Sequence, residues 1–158
     1  MPIPSLPSTF SRPPTTRHCF VTVGATVTFS ALLSAIQHEA FLSALILSGF
    51  THLTVQAGRD YDAFCAFAAT VDERFLTVEC FDLKDSLARD MALCRAEERE
   101  GRAMGVVISH AGTGSVLDAM TAQAPLIVVP NEALLDNHQV ELAQMVESRK
   151  YGVRGTLT

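Results

Sequence analysis

Two short runs, "GVVI" (105–108) and "LIVV" (126–129), narrow the possible folds more than anything else in the chain, because they are apolar at every position rather than at alternate ones. A strand with one wet face shows period two, whereas a strand that is apolar throughout must be covered on both faces. Alternating strands and helices achieve this by packing helices on both sides of a parallel sheet. That order recurs along the chain. "CFVTVG" (19–24) precedes a helical pattern over 30–47, and "HLTVQAG" (52–58) precedes a short one over 61–69. "RFLTVECF" (74–81) leads into "SLARDMALCRAEERE" (86–100), "MGVVISH" (104–110) into "SVLDAMTAQ" (115–123), and "PLIVVP" (125–130) into a last helix over 137–149. The fold class expected is α/β, a Rossmann-like doubly wound parallel sheet. At 158 residues, 48% hydrophobic and 18% charged, there is material for one core. Residues 1–17 hold five of the seven prolines and many Ser and Thr, and read as a disordered lead-in to a domain over 18–158. Arg12 and Arg17 without acids also fit a transit peptide, but the prolines spoil an amphipathic helix.

Composition excludes several functions. Twelve Lys and Arg against seventeen Asp and Glu give a net charge of −5, with no basic cluster suited to nucleic acid or to a polybasic membrane contact. "FLSALILSGF" (41–50) is about half the length of a membrane-spanning helix. Cys19, Cys65, Cys80 and Cys94 form no C-x-x-C pair and read as free thiols in a reducing compartment. "DYD" (60–62) resembles a metal-binding pair, but opens a helical segment where acids are expected anyway. "HAGTGS" (110–115) lacks the third glycine of G-x-G-x-x-G, and there is no G-K-[ST] loop.

Ligands of such sheets sit beyond the carboxyl ends of the strands. Three turns there are chemically unusual: "VGATVTF" (23–29), "SHAGTGS" (109–115) and "PNEALLDNHQ" (130–139). Gly112 and Gly114 allow a tight bend and close approach of a ligand, and Ser115 is placed to cap the next helix. The opening of that helix, with its unpaired N–H groups, suits an anion and above all a phosphate. Gly24 offers a second set of amides from the neighbouring strand. On spacing alone, the same turns also serve merely to start helices. Asp118, four residues past Gly114, is placed either to accept from vicinal sugar hydroxyls or to compensate the helix dipole. "NEALLDNHQ" concentrates donors and acceptors suited to a polyhydroxylated ligand.

Taken in order and spacing, "FVTVG", "QAGRD", "FDLKDSL", "VISHAGTGSVLDAM" and "PLIVVPNEALLDNHQVELA" resemble the catalytic subunits of the two-component UDP-N-acetylglucosamine transferases of dolichol-linked oligosaccharide synthesis, over residues 19 to 144. They are also similar to the donor-binding, carboxyl-terminal half of the bacterial glycosyltransferase of peptidoglycan precursor synthesis, a glycosyltransferase family 28 domain. The resemblance implies the donor half of a GT-B glycosyltransferase, passing GlcNAc from UDP-GlcNAc to GlcNAc-diphosphodolichol without a metal or other cofactor. It implies a heterodimer with a membrane-anchored, acceptor-binding subunit at the cytosolic face of the endoplasmic reticulum. Carried over by motif, the diphosphate lies between the Gly24–Ala25 turn and Gly112, Thr113, Gly114 and Ser115. Asp118 holds the ribose, and Phe81 and Leu83 enclose the uracil. Asn137, His138 and Gln139 read the GlcNAc hydroxyls, with Asn131 and Glu132 close by. Arg59 either touches ligand or orders its loop. His110 is the in-chain candidate for general base, with hydrogen bonding to the loop or donor as its other reading; in the related enzymes the base belongs to the other half. Family members usually continue into a carboxyl-terminal helix that docks on the partner, whereas "YGVRGTLT" follows the last helix here. The alternative function is a non-catalytic UDP-sugar-binding or regulatory module.

Overall fold

A computed structural model describes residues 6–7, 9–25, 27–133 and 138–157. Strands β1 (His18–Thr22), β2 (His52–Gln56), β3 (Thr77–Phe81), β4 (Val106–His110), β5 (Leu126–Val129) and β6 (Val153–Arg154) form one sheet in the order β3-β2-β1-β4-β5-β6. Every neighbouring pair is parallel, with Val21 opposite both Val55 and Ile108. All strands therefore point their carboxyl ends to one edge, and the order reverses between β1 and β4, where a crevice opens in folds of this type.

Alternate strand residues feed two separate cores, as expected for a sheet covered on both faces. Cys19, Val21, Leu53, Val55 and Ile108 pack with Leu32, Leu33, Ile36, Leu42, Ile46 and Phe64, from helices α1 (Ser30–Ile36), α2 (Glu39–Leu47) and α3 (Tyr61–Ala68). Phe20, Val107, Leu126 and Val128 pack on the opposite face with Met91, Val116, Ala119, Ala143 and Val146, from α4 (Ala88–Ala92), α5 (Thr113–Thr121) and α6 (His138–Ser148). No single helix among the described residues is long and apolar enough to cross a membrane. The α1–α2 pair passes on composition, but bends by 57° and buries Leu32, Leu33, Ile36, Leu42, Leu45 and Ile46.

Three elements differ from the sequence expectation. The pattern over 30–47 divides into α1 and α2, because the His38 ring caps a new helix by accepting the Ala40 N–H through Nδ1 at 3.1 Å. The helix expected over 86–100 shrinks to α4 plus a single 3₁₀ turn, Glu98–Glu100. Beyond Cys94 the sequence "RAEERE" has no apolar face to bury, and Glu97 turns the chain by accepting from the Arg99 N–H and pairing with Arg102. β6, two residues long, is too short to show a period. The segment before β1, read from its composition as disordered, lies along the domain from Phe10 onward. Phe10 packs at 5.7 Å from the Phe75 ring, and the Arg12 guanidinium donates to the carbonyls of Glu73 and Thr51 at 2.8 and 2.9 Å.

Candidate functional site

The first strand to enter the crevice is β1, which ends at Thr22 and is followed by Val23 and Gly24. Gly24 has φ +87°, a conformation costly for any residue with a Cβ. β4 brings His110 beside it. A Cβ added to Gly24 would lie 2.6 Å from His110 Nε2, and one added to Gly112 only 2.2 Å from the same atom. The imidazole is therefore held between two turns that can approach it only because both are glycine. This gives the two glycines a role that spacing did not suggest: they make room for a histidine.

His110 lines a cavity of about 140 Å³ together with Val23, Gly24, Val27, Phe29, Gly112, Asn131 and Gln139. Burial lowers its pKa below the ordinary value, so the ring is neutral at pH 7, and its buried Nδ1 has no hydrogen-bond partner among the described residues. Past Gly112, α5 begins with no side-chain cap, which leaves the amides of Thr113, Gly114 and Ser115 facing outward at the positive end of the helix. Ser115, proposed from sequence as the cap, lies inside the helix instead. Asp118 is exposed one turn beyond Gly114 on the same helix face.

The turn after β5 closes the other side. Asn131 is buried; its Nδ2 donates to the Thr28 carbonyl at 3.3 Å, and its N–H donates to Gln139 Oε1 at 2.9 Å. The first bond ties the β1–α1 and β5–α6 turns together across the crevice, and the second joins the end of β5 to the start of α6. Asn131 and Glu132 also line a second cavity of about 380 Å³, with Phe29, Val129, Pro130 and Arg154 among its walls. His138 is exposed on the first turn of α6, and Asn137 lies outside the described residues.

The β2 and β3 ends complete the rim. Arg59 is exposed in the turn Gly58–Asp60 and borders a shallow hollow with Gly24, Ala25 and Thr28. The neighbouring Asp60 is occupied in accepting from the Ser30 hydroxyl at 2.8 Å. Phe81 packs parallel to Phe20 at 6.2 Å and carries the Lys84 ammonium 4.1 Å from its centroid, while Leu83 stands exposed beside it. The structure thus gathers Gly24, His110, Gly112, Asn131 and Gln139 around one cavity. It sets Arg59, Asp118, Phe81 and Leu83 on its surroundings.

Sequence reasoning passed over Gln56. This buried side chain at the end of β2 accepts from the Thr22 hydroxyl at 2.6 Å and the Gly24 N–H at 3.2 Å, and donates to the carbonyls of Gly24 at 3.1 Å and Asp82 at 2.9 Å. The available signal was a polar residue closing an otherwise apolar strand.

Comparison with known proteins bears on the family and the fold. The sequence pattern of the glycosyltransferase family 28 C-terminal domain matches residues 18–154. The UDP-N-acetylglucosamine transferase subunit ALG13 of Candida glabrata is 36% identical, with 82% of this chain and 75% of that protein covered. The solution NMR structure of ALG13 superposes with a TM-score of 0.65 at 28% identity, over 91% of this chain and 80% of that one. MurG of Acinetobacter baumannii superposes with a TM-score of 0.63 at 18% identity, over 92% of this chain and 38% of that one. The sheet is that of one half of a GT-B glycosyltransferase.

Proposed function

The chain belongs to the glycosyltransferase family 28 C-terminal domain family and is a glycosyltransferase; from that premise we propose that it is the UDP-GlcNAc-binding subunit of a two-subunit enzyme. The acceptor is a lipid-linked GlcNAc diphosphate, GlcNAc-diphosphodolichol, presented by a membrane-anchored subunit at the cytosolic face of the endoplasmic reticulum. The observation that carries this reading is the neutral His110 ring set between the Gly24 and Gly112 turns, directly before the uncapped amino end of α5.

The chemistry follows from where charge develops. As the bond between the sugar and UDP breaks, negative charge accumulates on the diphosphate. Amides of Thr113, Gly114 and Ser115 and the dipole of α5 are aimed where that charge forms, so they stabilise the transition state more than the ground state. Arg59, exposed on the rim by the Gly24 turn, supplies a full positive charge, and the scheme calls for no metal. The neutral His110 ring carries one N–H, which it offers to a phosphate oxygen in this reading, and the burial that lowers its pKa also weakens it as a base toward a sugar hydroxyl. The base then lies on the acceptor-binding subunit. Asp118, one turn along α5, accepts from the ribose hydroxyls, and Phe81 and Leu83 flank the uracil. Gln139, His138 and Asn137 read the sugar with Asn131 and Glu132 beside them. Because Gln139 Oε1 is engaged by the Asn131 N–H, its NH₂ group is the part left to address a hydroxyl.

The test is a transfer assay with labelled UDP-GlcNAc and a GlcNAc-diphospholipid, using this chain with membranes that carry the partner subunit, alongside calorimetry of the chain alone. Transfer that requires both components, and UDP-GlcNAc binding lost in Asp118→Ala, are expected. Full binding in Asp118→Ala removes the ribose assignment, and transfer by the membranes without this chain contradicts the proposal.

A further inference from the structure

Gln56 is 2% exposed, yet it is built into no helix or strand ladder by its side chain; all its partners except Thr22 lie in turns at the sheet edge. A primary amide offers two donors and a two-fold acceptor, and here that capacity is fully used. The bonds are unequal in consequence. On the β3 side, Asp82 is also held by the Gly58 N–H at 3.1 Å, and Phe81 by the Ala57 N–H at 2.9 Å, so that turn is fixed by backbone as well. On the β1 side, Gln56 holds both the N–H and the C=O of Gly24, the residue at φ +87° against which the His110 ring packs. The amide therefore ties the Gly24 turn to the anchored end of β3.

We infer that Gln56 is a positioning residue, fixing the turn that faces the diphosphate relative to the turn that faces the nucleobase. This rests on the reading of the site as one for a uridine diphosphate sugar. A ligand that joins two subsites gains from both only when their separation matches its own. Loss of the tie therefore weakens the joined ligand while each subsite still accepts its fragment.

Two variants of the full chain test this. Gln56→Met keeps the volume and removes all four hydrogen bonds. Gln56→Glu keeps the two accepted bonds, loses both donated ones when ionised, and regains one when protonated. Calorimetry and amide-shift titrations with UDP-GlcNAc, uridine and pyrophosphate read the result. In Gln56→Met, UDP-GlcNAc affinity falls by roughly 10- to 100-fold, the range for losing the two neutral hydrogen bonds that hold Gly24, while the two fragments change by no more than about 3-fold. In Gln56→Glu, UDP-GlcNAc binds more tightly at pH 5.5 than at pH 8, measured against Gln56→Met at each pH. Hydrogen exchange on the wild-type chain gives a readout that needs no variant, since the Gly24 amide must be protected. Equal losses for the joined ligand and the fragments, no loss in a folded variant, or an unprotected Gly24 amide each overturn the inference. A wild-type chain that does not bind UDP-GlcNAc refutes the donor-site reading itself, and the inference with it.

Discussion

Replacing Gly112 by alanine places a methyl carbon 2.2 Å from His110 Nε2. Ordinary carbon contacts lie near ~3.5–4.0 Å, so more than an ångström of overlap must be relieved. The ring cannot simply slide away, because the Gly24 turn stands against it on the other side, with a Cβ position only 2.6 Å from the same nitrogen. Overpacking of this kind costs about 1–3 kcal/mol. For a domain of this size each kcal/mol shifts Tm by roughly 2–4 °C, so Gly112→Ala is expected to melt about 2–12 °C lower. Gly24→Ala suffers the same clash at φ +87°, which adds about 1–2 kcal/mol. Calorimetric or fluorescence melting of a double-mutant cycle isolates the cause. Removing the ring in His110→Ala should abolish most of the Gly112→Ala penalty, leaving a coupling of about 1–2 kcal/mol. If the two substitutions add to within about 0.5 kcal/mol, His110 is not what forbids a side chain at Gly112, and the packing argument fails.

Two further expectations use contrasting parts of the fold. A Cβ at Gly114 meets nothing within 4 Å, so Gly114→Ala should raise stability by about 0.4–1 kcal/mol through helix propensity and unfolded-state entropy. The same methyl narrows the approach to the α5 amides, and UDP-GlcNAc affinity should fall; a rise in Tm with unchanged affinity would place the phosphates elsewhere. At the opposite edge of the sheet, His18 and His52 stack at 4.4 Å, and burial with mutual repulsion depresses the His18 pKa to about 4 while burial lowers that of His52. A depressed histidine pKa means that the unfolded chain takes up more protons than the folded one. Stability is therefore intact above the unfolded value near 6.5 and falls as pH drops toward 4. Urea midpoints measured from pH 7 to 4.5 should decline, and should decline less in the His18→Phe/His52→Phe variant; parallel curves would show that the pair is not responsible.

Much of the fold was legible because every-position apolar runs leave few alternatives. "GVVI" and "LIVV" had to be covered on both faces, and Val107 and Ile108 do feed opposite cores. What the pattern hid were elements decided by single side chains. His38 caps a second helix inside one apolar stretch, and α4 stops at Ala92, with Glu97 turning the chain beyond it. In the lead-in, proline and hydroxyl content gave no sign of the contacts that Phe10 and Arg12 make with the domain. At the candidate site, glycine and amide content marked turns that the sheet brings to one cavity. The reason for Gly24 and Gly112 was not legible, because it lies in contact with His110. Asn131 reaches Thr28, 103 residues away in sequence, and Gln56 joins three strand ends. Such bonds exist only once the sheet has brought its carboxyl edges together.

The central claim, that this chain itself holds the donor at the carboxyl edge of β1 and β4, is tested most directly by an amide-shift titration of the 17.1 kDa chain with UDP-GlcNAc. The account predicts saturable changes centred on Gly24, Ala25 and Gly112 to Ser115, with the His18 and His52 amides unmoved. Silence at those turns at millimolar ligand, or changes confined to the His18 edge, would contradict it.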